Sequence, residues 1–233
     1  SSSGPAIRGD SPGEHTVEVR MREDGFEWAK LVLIHEDAIA RAPGSGMRPM
    51  AVIQPRGLAQ GGPILQVDFN GGTDGFSYVD DAQDPGYADG AWSSSAGYGG
   101  TGALTVTVGN IDGSDIEDLS GMWERTFNLS EPTEVVVSLR YNLTQSHAYE
   151  SDECSQVRIQ VDGSYYGAGG NAYIEEICGD GQSAPYDPIT TGWQYFETSV
   201  GVLPAGNHTL TLEGYNDIKT YPDEYTDVVF DDV

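Results

Sequence analysis

The sequence predicts an all-β protein, an antiparallel β-sandwich with a two-strand extension ahead of it. Three observations carry this. Glycine and tyrosine are plentiful, at 31 and 13 of 233 residues. Valine and threonine recur in short runs bounded by Gly, Asn, Asp and Pro. No segment shows the 3.6-residue apolar spacing of an amphipathic helix.

The main body is expected from residue 63 to residue 233. An opening ILQVDF stretch leads into it. Strands are then expected at Gly102–Val108, Met122–Leu129, Val135–Leu143, Val157–Val161, Trp193–Val200, His208–Gly214 and Asp227–Val233. Each is short and rich in β-branched or aromatic residues, and turn-forming residues separate them. About eight strands at this spacing suit two stacked sheets.

Ahead of this body lie three further regions. Residues 1–12 are polar and are expected to be flexible; they include an Arg8-Gly9-Asp10 tripeptide of the kind that arises by chance. Residues 13–34 read as two strands, with Val17, Val19 and Met21 alternating on one face, an Asp-Gly turn, and then Leu31 and Leu33. Residues 35–62, rich in Ala, Pro and Gly, read as a linker. The run Gly13-Glu-His-Thr-Val-Glu-Val-Arg matches Gly206-Asn-His-Thr-Leu-Thr-Leu-Glu. Residues 13–34 therefore look like the last two strands of another sandwich. Two strands cannot bury enough apolar surface to stand alone. Three homes are open to them: the remainder of an upstream domain, packing on the main body, or donation to a neighbouring subunit, which is the expectation adopted.

The net charge of −26 is extreme, and the only lysines are Lys30 and Lys219. Such a surface repels nucleic acid and anionic lipid. Adaptation to salty surroundings or carboxylates serving as calcium ligands would each account for it. No stretch reaches the roughly 18 apolar residues of a membrane span. The two cysteines, Cys154 and Cys178, sit in polar, loop-like sequence without a CxxC or a Cys/His cluster. A disulfide is expected, and with it an extracellular, secreted or cell-surface location and a targeting sequence already removed. Asn128, Asn142 and Asn207 head formal N-glycosylation sequons.

The opening VDFNGG at Val67–Gly72, TGWQYFE at Thr191–Glu197, PAGNHTLTLEGYN at Pro204–Asn216 and the closing VVFDDV at Val228–Val233 appear in this order. With these motifs the 63–233 region resembles the jelly-roll β-sandwich domains that serve as carbohydrate-binding modules and adhesive domains of secreted bacterial proteins. The resemblance implies a structural calcium where the first and last strands meet, and often a glycan ligand. Fold alone does not fix function.

Calcium takes six to eight hard oxygens. Asp231 lies in an otherwise apolar closing strand, where an unpaired carboxylate is costly. Asp68 in the opening strand, with Asp74 or Asp80 from the next loop, is its expected partner. A sugar site needs an exposed aromatic platform among polar groups. Trp92, Tyr98, Tyr149, Tyr165, Tyr166 and Tyr173 lie in such surroundings, as candidates for glycan or subunit contact, whereas Trp123 and Trp193 read as core. No nucleophile elbow, HExxH site or phosphate loop is present. His15 and His208 occupy matching places in the repeated segment, which points to a structural role. The expected function is a non-catalytic structural or adhesive protein. It would assemble with copies of itself by donating residues 13–34, head to tail into a filament stabilised by calcium. The alternative is a carbohydrate-binding module of a larger secreted polysaccharide-degrading enzyme. Polysaccharide is the possible partner, with no nucleic acid and no membrane insertion.

Overall fold

The computed structural model describes residues 63–181 and 187–233. The expectations for residues 1–12, 13–34 and 35–62, with Val17, Val19, Met21, Leu31 and Leu33, lie outside the described residues. The strands are β1 (Ser77–Asp80), β2 (Ala88–Ser93), β3 (Ala103–Gly109), β4 (Ile116–Leu129), β5 (Thr133–Gln145) and β6 (Cys154–Val161). They continue with β7 (Ser164–Tyr165), β8 (Glu175–Cys178), β9 (Ile189–Thr190), β10 (Gln194–Leu203), β11 (Gly206–Lys219) and β12 (Tyr225–Asp231).

They form two antiparallel sheets of six strands each. The first runs β1-β4-β11-β6-β7, with β8 also on β6, and the second β10-β5-β12-β3-β2, with β9 on β5. The core between them follows from period-two alternation. Leu210 and Leu212 on β11, and Val157, Ile159 and Val161 on β6, point inward. So do Leu139 and Leu143 on β5, Leu104, Val106 and Val108 on β3, and Val228 and Phe230 on β12. Trp123 is buried as expected and donates from its indole nitrogen to the Thr105 carbonyl at 3.0 Å.

Among the strands that the sequence did not announce are β1 and β2. β2 reads ADGAWS, a run that resembles a turn. Its Gly90 is there because the ring of Tyr78 lies over it. A Cβ at that position would sit 2.0 Å from Tyr78 Cδ2. The opening ILQVDF stretch, expected as a strand, is extended chain joined to the closing segment by one reciprocal pair. Val67 N–H donates to the Val233 carbonyl at 2.8 Å, and Val233 N–H to that of Val67 at 3.1 Å. A turn at residues 70–72 ends the pairing there.

His208 has the structural role its place implied. Nδ1 lies 2.6 Å from an Asp162 carboxylate oxygen, and Nε2 lies 2.9 Å from the Pro204 carbonyl. Two acceptors around one ring favour the doubly protonated form, and the Asp162 bond is the main cause of the raised His208 pKa.

Cys154 and Cys178 are directly opposite each other in the β6–β8 ladder and form a disulfide. It closes a loop with a sequence separation of 24 residues. The double variant Cys154→Ser, Cys178→Ser is expected to lose about 3 kcal/mol of stability in the chain-entropy model. Denaturant unfolding checks the size. Alkylation of the native protein without reductant, followed by mass measurement, should find no modified thiol.

Candidate functional site

The outward face of the first sheet is unusual in burying polar groups on its solvent side. On β11 the residues between the core leucines are Thr211, Glu213 and Tyr215, at 5%, 3% and 8% exposure. The register sets Thr211 opposite Gln160, Glu213 opposite Arg158 and Tyr215 opposite Gln156 on β6. On the other side the partners are Glu124, Met122 and Ser120 of β4. The central row is closed off, Gln156 beside it is also buried, and Arg158, Gln160, Glu124, Met122 and Ser120 are half-buried, which gives the face a polar floor.

Arg158 organises that floor. Its guanidinium carbon lies 3.2 Å from the centre of the Tyr215 ring and 5.5 Å from that of Tyr165. Cation–π attraction of this kind is strongest where water is excluded. Arg158 Nη1 is 3.7 Å from Glu213, and Arg158 Nε donates to Gln156 Oε1 at 2.7 Å. Gln160 donates to the second oxygen of Glu213 at 2.7 Å, and the Gln156 amide donates to Glu176. Tyr215 donates its hydroxyl to Asp118. Burial pushes the Glu213 pKa up, against the opposing pull of Gln160 and Arg158. Burial likewise pushes Tyr215 up to about 12. Tyr165, on the short strand β7 and opposite Gln160, is 42% exposed at the rim.

The chemistry offered is recognition. A flat, partly exposed ring accepts an apolar ligand face, while carboxamides, carboxylates and a guanidinium bond hydroxyl groups around it.

The sequence named Tyr165 but not Arg158, Glu213, Gln156, Gln160 or Tyr215. Only the outward alternation of VRIQV and HTLTLEGY could have shown them. Two other readings are corrected. Tyr149, taken as an exposed candidate, is fully buried, with its hydroxyl 3.3 Å from Thr226 Oγ1, so it cannot meet a ligand. Trp193, taken as core, is half-buried and sits edge-on to Tyr98 at 6.0 Å between ring centres. Tyr166 packs on the core, and Tyr173 is half-buried beside Glu176, with a raised pKa caused first by that carboxylate. Trp92 is 38% exposed but donates its indole N–H to the Phe69 carbonyl at 2.7 Å.

Among the described residues no three of the four acids expected to hold calcium come within 4.8 Å of one another, although Asp68 and Asp74 line one cavity. Asp68 accepts from Asn70, and Asp74 from the Phe69 N–H. Asp80 accepts from the Asp81 and Gly86 N–H groups. Asp231 is buried, as its place in an apolar strand implied. Both its oxygens are occupied: Oδ2 takes the Tyr98 N–H and the Thr101 hydroxyl, and Oδ1 takes the Asp232 N–H. These donors offset only part of the cost of burial, which still pushes the Asp231 carboxyl above its ordinary range. Among the described residues, the carboxylates brought within 4.8 Å of one another are those of Glu150, Glu153 and Glu224 at the other end of the sandwich. Burial pushes Glu153 up to about 8.

No protein-family model matches the chain, and no curated protein does. Among solved structures, it is similar to a cleaved adhesin domain of Lys-gingipain from Porphyromonas gingivalis. Identity is 15% and the TM-score 0.39, over 72% of this chain and 98% of that one. It is similar to the CBM27-1 module of Caldicellulosiruptor saccharolyticus, solved with mannohexaose, at 12% identity and a TM-score of 0.34, over 72% and 94%. A third is a xylan-binding domain of Paenibacillus barcinonensis, at 11% identity and a TM-score of 0.32, over 72% and 90%. These are adhesin domains and carbohydrate-binding modules, the kinds of domain the sequence resembles. No helix among the described residues is long and apolar enough to cross a membrane.

Arg158→Ala is expected to cost about 3–5 kcal/mol, because it leaves the Glu213 carboxylate buried without its cation. Glu213→Gln, which removes the charge together with the need for a partner, should cost far less. The raised Glu213 pKa fixes the sign with pH: its contribution is present in acid and is lost as pH rises through the folded-state pKa. The Arg158→Ala deficit should therefore shrink in mild acid. Urea unfolding at about pH 5 and about pH 8 checks both points; equal deficits would show that the pair is not what holds Glu213.

Proposed function

We propose that the protein is a non-catalytic extracellular binding module that holds a neutral polysaccharide chain along the outer face of its first sheet. The observation that carries this is the polar floor in which Arg158 lies between the rings of Tyr215 and Tyr165 and is paired with Glu213. A pyranose has apolar C–H faces and a rim of hydroxyl groups, and this face offers a ring for one and fixed donors and acceptors for the other. The net charge of −26 disfavours an acidic polymer. The disulfide supports an oxidising location.

The test is titration with xylohexaose and mannohexaose, with affinity electrophoresis against the parent polymers. Tyr165→Ala, at the rim and outside the core, should weaken binding about tenfold, or about 1.4 kcal/mol. Binding untouched by that change, or no binding to any neutral polysaccharide, would overturn the reading.

One observation favours a second reading, assembly by strand donation. β10 is a ten-residue edge strand of the second sheet, and it bears Val202 at 70% exposure, opposite Glu134 of β5. A long edge with apolar side chains is a template for an added strand. Residues 13–34 of another copy are the proposed donor. Calcium belongs to the same reading as a general neutraliser: self-repulsion among so many carboxylates opposes both compaction and contact between copies. Light scattering of the full chain and of a chain lacking residues 1–60, each with calcium and with sodium at equal ionic strength, tests both. Assembly by donation predicts calcium-favoured oligomers that disappear on deletion. A monomer under every condition removes it.

A further inference from the structure

The outward face of the second sheet carries a second group of the same chemistry. Arg140 on β5 lies between Tyr195 of β10 and Asp231 of β12 in the register, and its side chain rises on the solvent side. Its guanidinium carbon is 4.1 Å from the centre of the Tyr98 ring and 6.0 Å from that of Tyr195. Arg140 Nε is paired with Asp232 at 3.1 Å. Trp193 closes the group, edge-on to Tyr98. A guanidinium between two tyrosines, bound to one carboxylate, is the arrangement already seen around Arg158.

This group is open where the other is sunken. Tyr195 is 58% exposed and Tyr98 47%. Adjacent exposed rings of this kind mark contact surfaces. They are also held in place. Tyr195 is set by its ladder position and donates its hydroxyl to Glu197 at 2.8 Å. The Tyr98 loop is tied to the closing strand by the bonds that Tyr98 N–H and the Thr101 hydroxyl give to Asp231. Rings ordered before binding lose little freedom on contact, which favours affinity. A second copy of this chain is a poor occupant, because two surfaces of this charge repel each other. A neutral, hydroxyl-rich ligand meets no such barrier.

We propose that Tyr98, Tyr195, Trp193 and Arg140 form a second binding surface for neutral polysaccharide, so that one molecule joins two glycan chains. The inference rests on the glycan-binding reading of the first face. The two sheets are stacked with their outer faces turned apart, so a single straight chain cannot lie on both. The first face would hold one chain and the second, with its exposed rings, another. The protein would then be a cross-linker of polysaccharide as well as a binder.

The experiment is calorimetric titration of the full chain with xylohexaose and mannohexaose, alongside turbidity of the parent polymers. Two ligands per protein are expected. Tyr195→Ala should reduce this to one while sparing the first face, and Tyr165→Ala should reduce it to one while sparing the second. Either change should abolish polymer cross-linking. Thermal melts confirm that the variants are folded. Shifts in the NMR signals around Tyr98, Trp193 and Arg140 on titrating the unaltered protein give a readout that needs no variant. One ligand per protein, lost on Tyr165→Ala and unmoved by Tyr195→Ala, overturns the second surface and leaves the first-face reading standing. No binding of either sugar or polymer overturns both.

Discussion

Strand β11 is the member on which the rest of the molecule hangs. It is 14 residues long, pairs with β4 on one side and β6 on the other, and so brings together strands distant in sequence. Its alternation does two jobs at once. Leu210 and Leu212 fasten the first sheet to the core, and the alternate residues Thr211, Glu213 and Tyr215 make the polar floor of its outer face. Moving the strand by one register position would turn the carboxylate of Glu213 into the apolar interior and the leucines into water. Core and site therefore specify each other. Neither can drift while the other is kept.

Much of the fold was legible because of this alternation. The runs around Val106, Leu139, Ile159, Leu212 and Phe230 announced their strands, and each is a core position. What the sequence concealed was of two kinds. β1 and β2 contain Ser, Asp and Gly and carry no apolar run, because their place is fixed by pairing with β4 and β3 and by the close contact of Tyr78 with Gly90. A sequence shows a residue's own preference, not the space its neighbour leaves. The opening stretch erred the other way: its apolar alternation is genuine, but the turn after Phe69 leaves it one bonded pair instead of a ladder.

The site was less legible than the fold, for a related reason. Aromatic residues in Gly-rich sequence were the visible signal, and it located Tyr98 and Tyr165 correctly as exposed rings. It failed for Tyr149, which lies in an equally polar stretch but fills the end of the sandwich. Arg140 and Arg158 were invisible because an arginine in a strand looks like an ordinary solvated residue. Only the cross-strand partners show that each stacks on tyrosine. A buried Asp231 needs compensation, as its place in an apolar strand implies; backbone and hydroxyl donors of the 97–101 loop, which no residue-type pattern encodes, supply part of it.

The reciprocal bonding of Val67 and Val233 has a mechanical meaning. Two residues that exchange both hydrogen bonds are an antiparallel pair. The chain leading into Val67 and the closing residue Val233 therefore point the same way from that pair. Tension applied through the two ends would peel that pair open one bond at a time instead of shearing a whole ladder at once. The load would meet little resistance there and be passed directly to the closing strand.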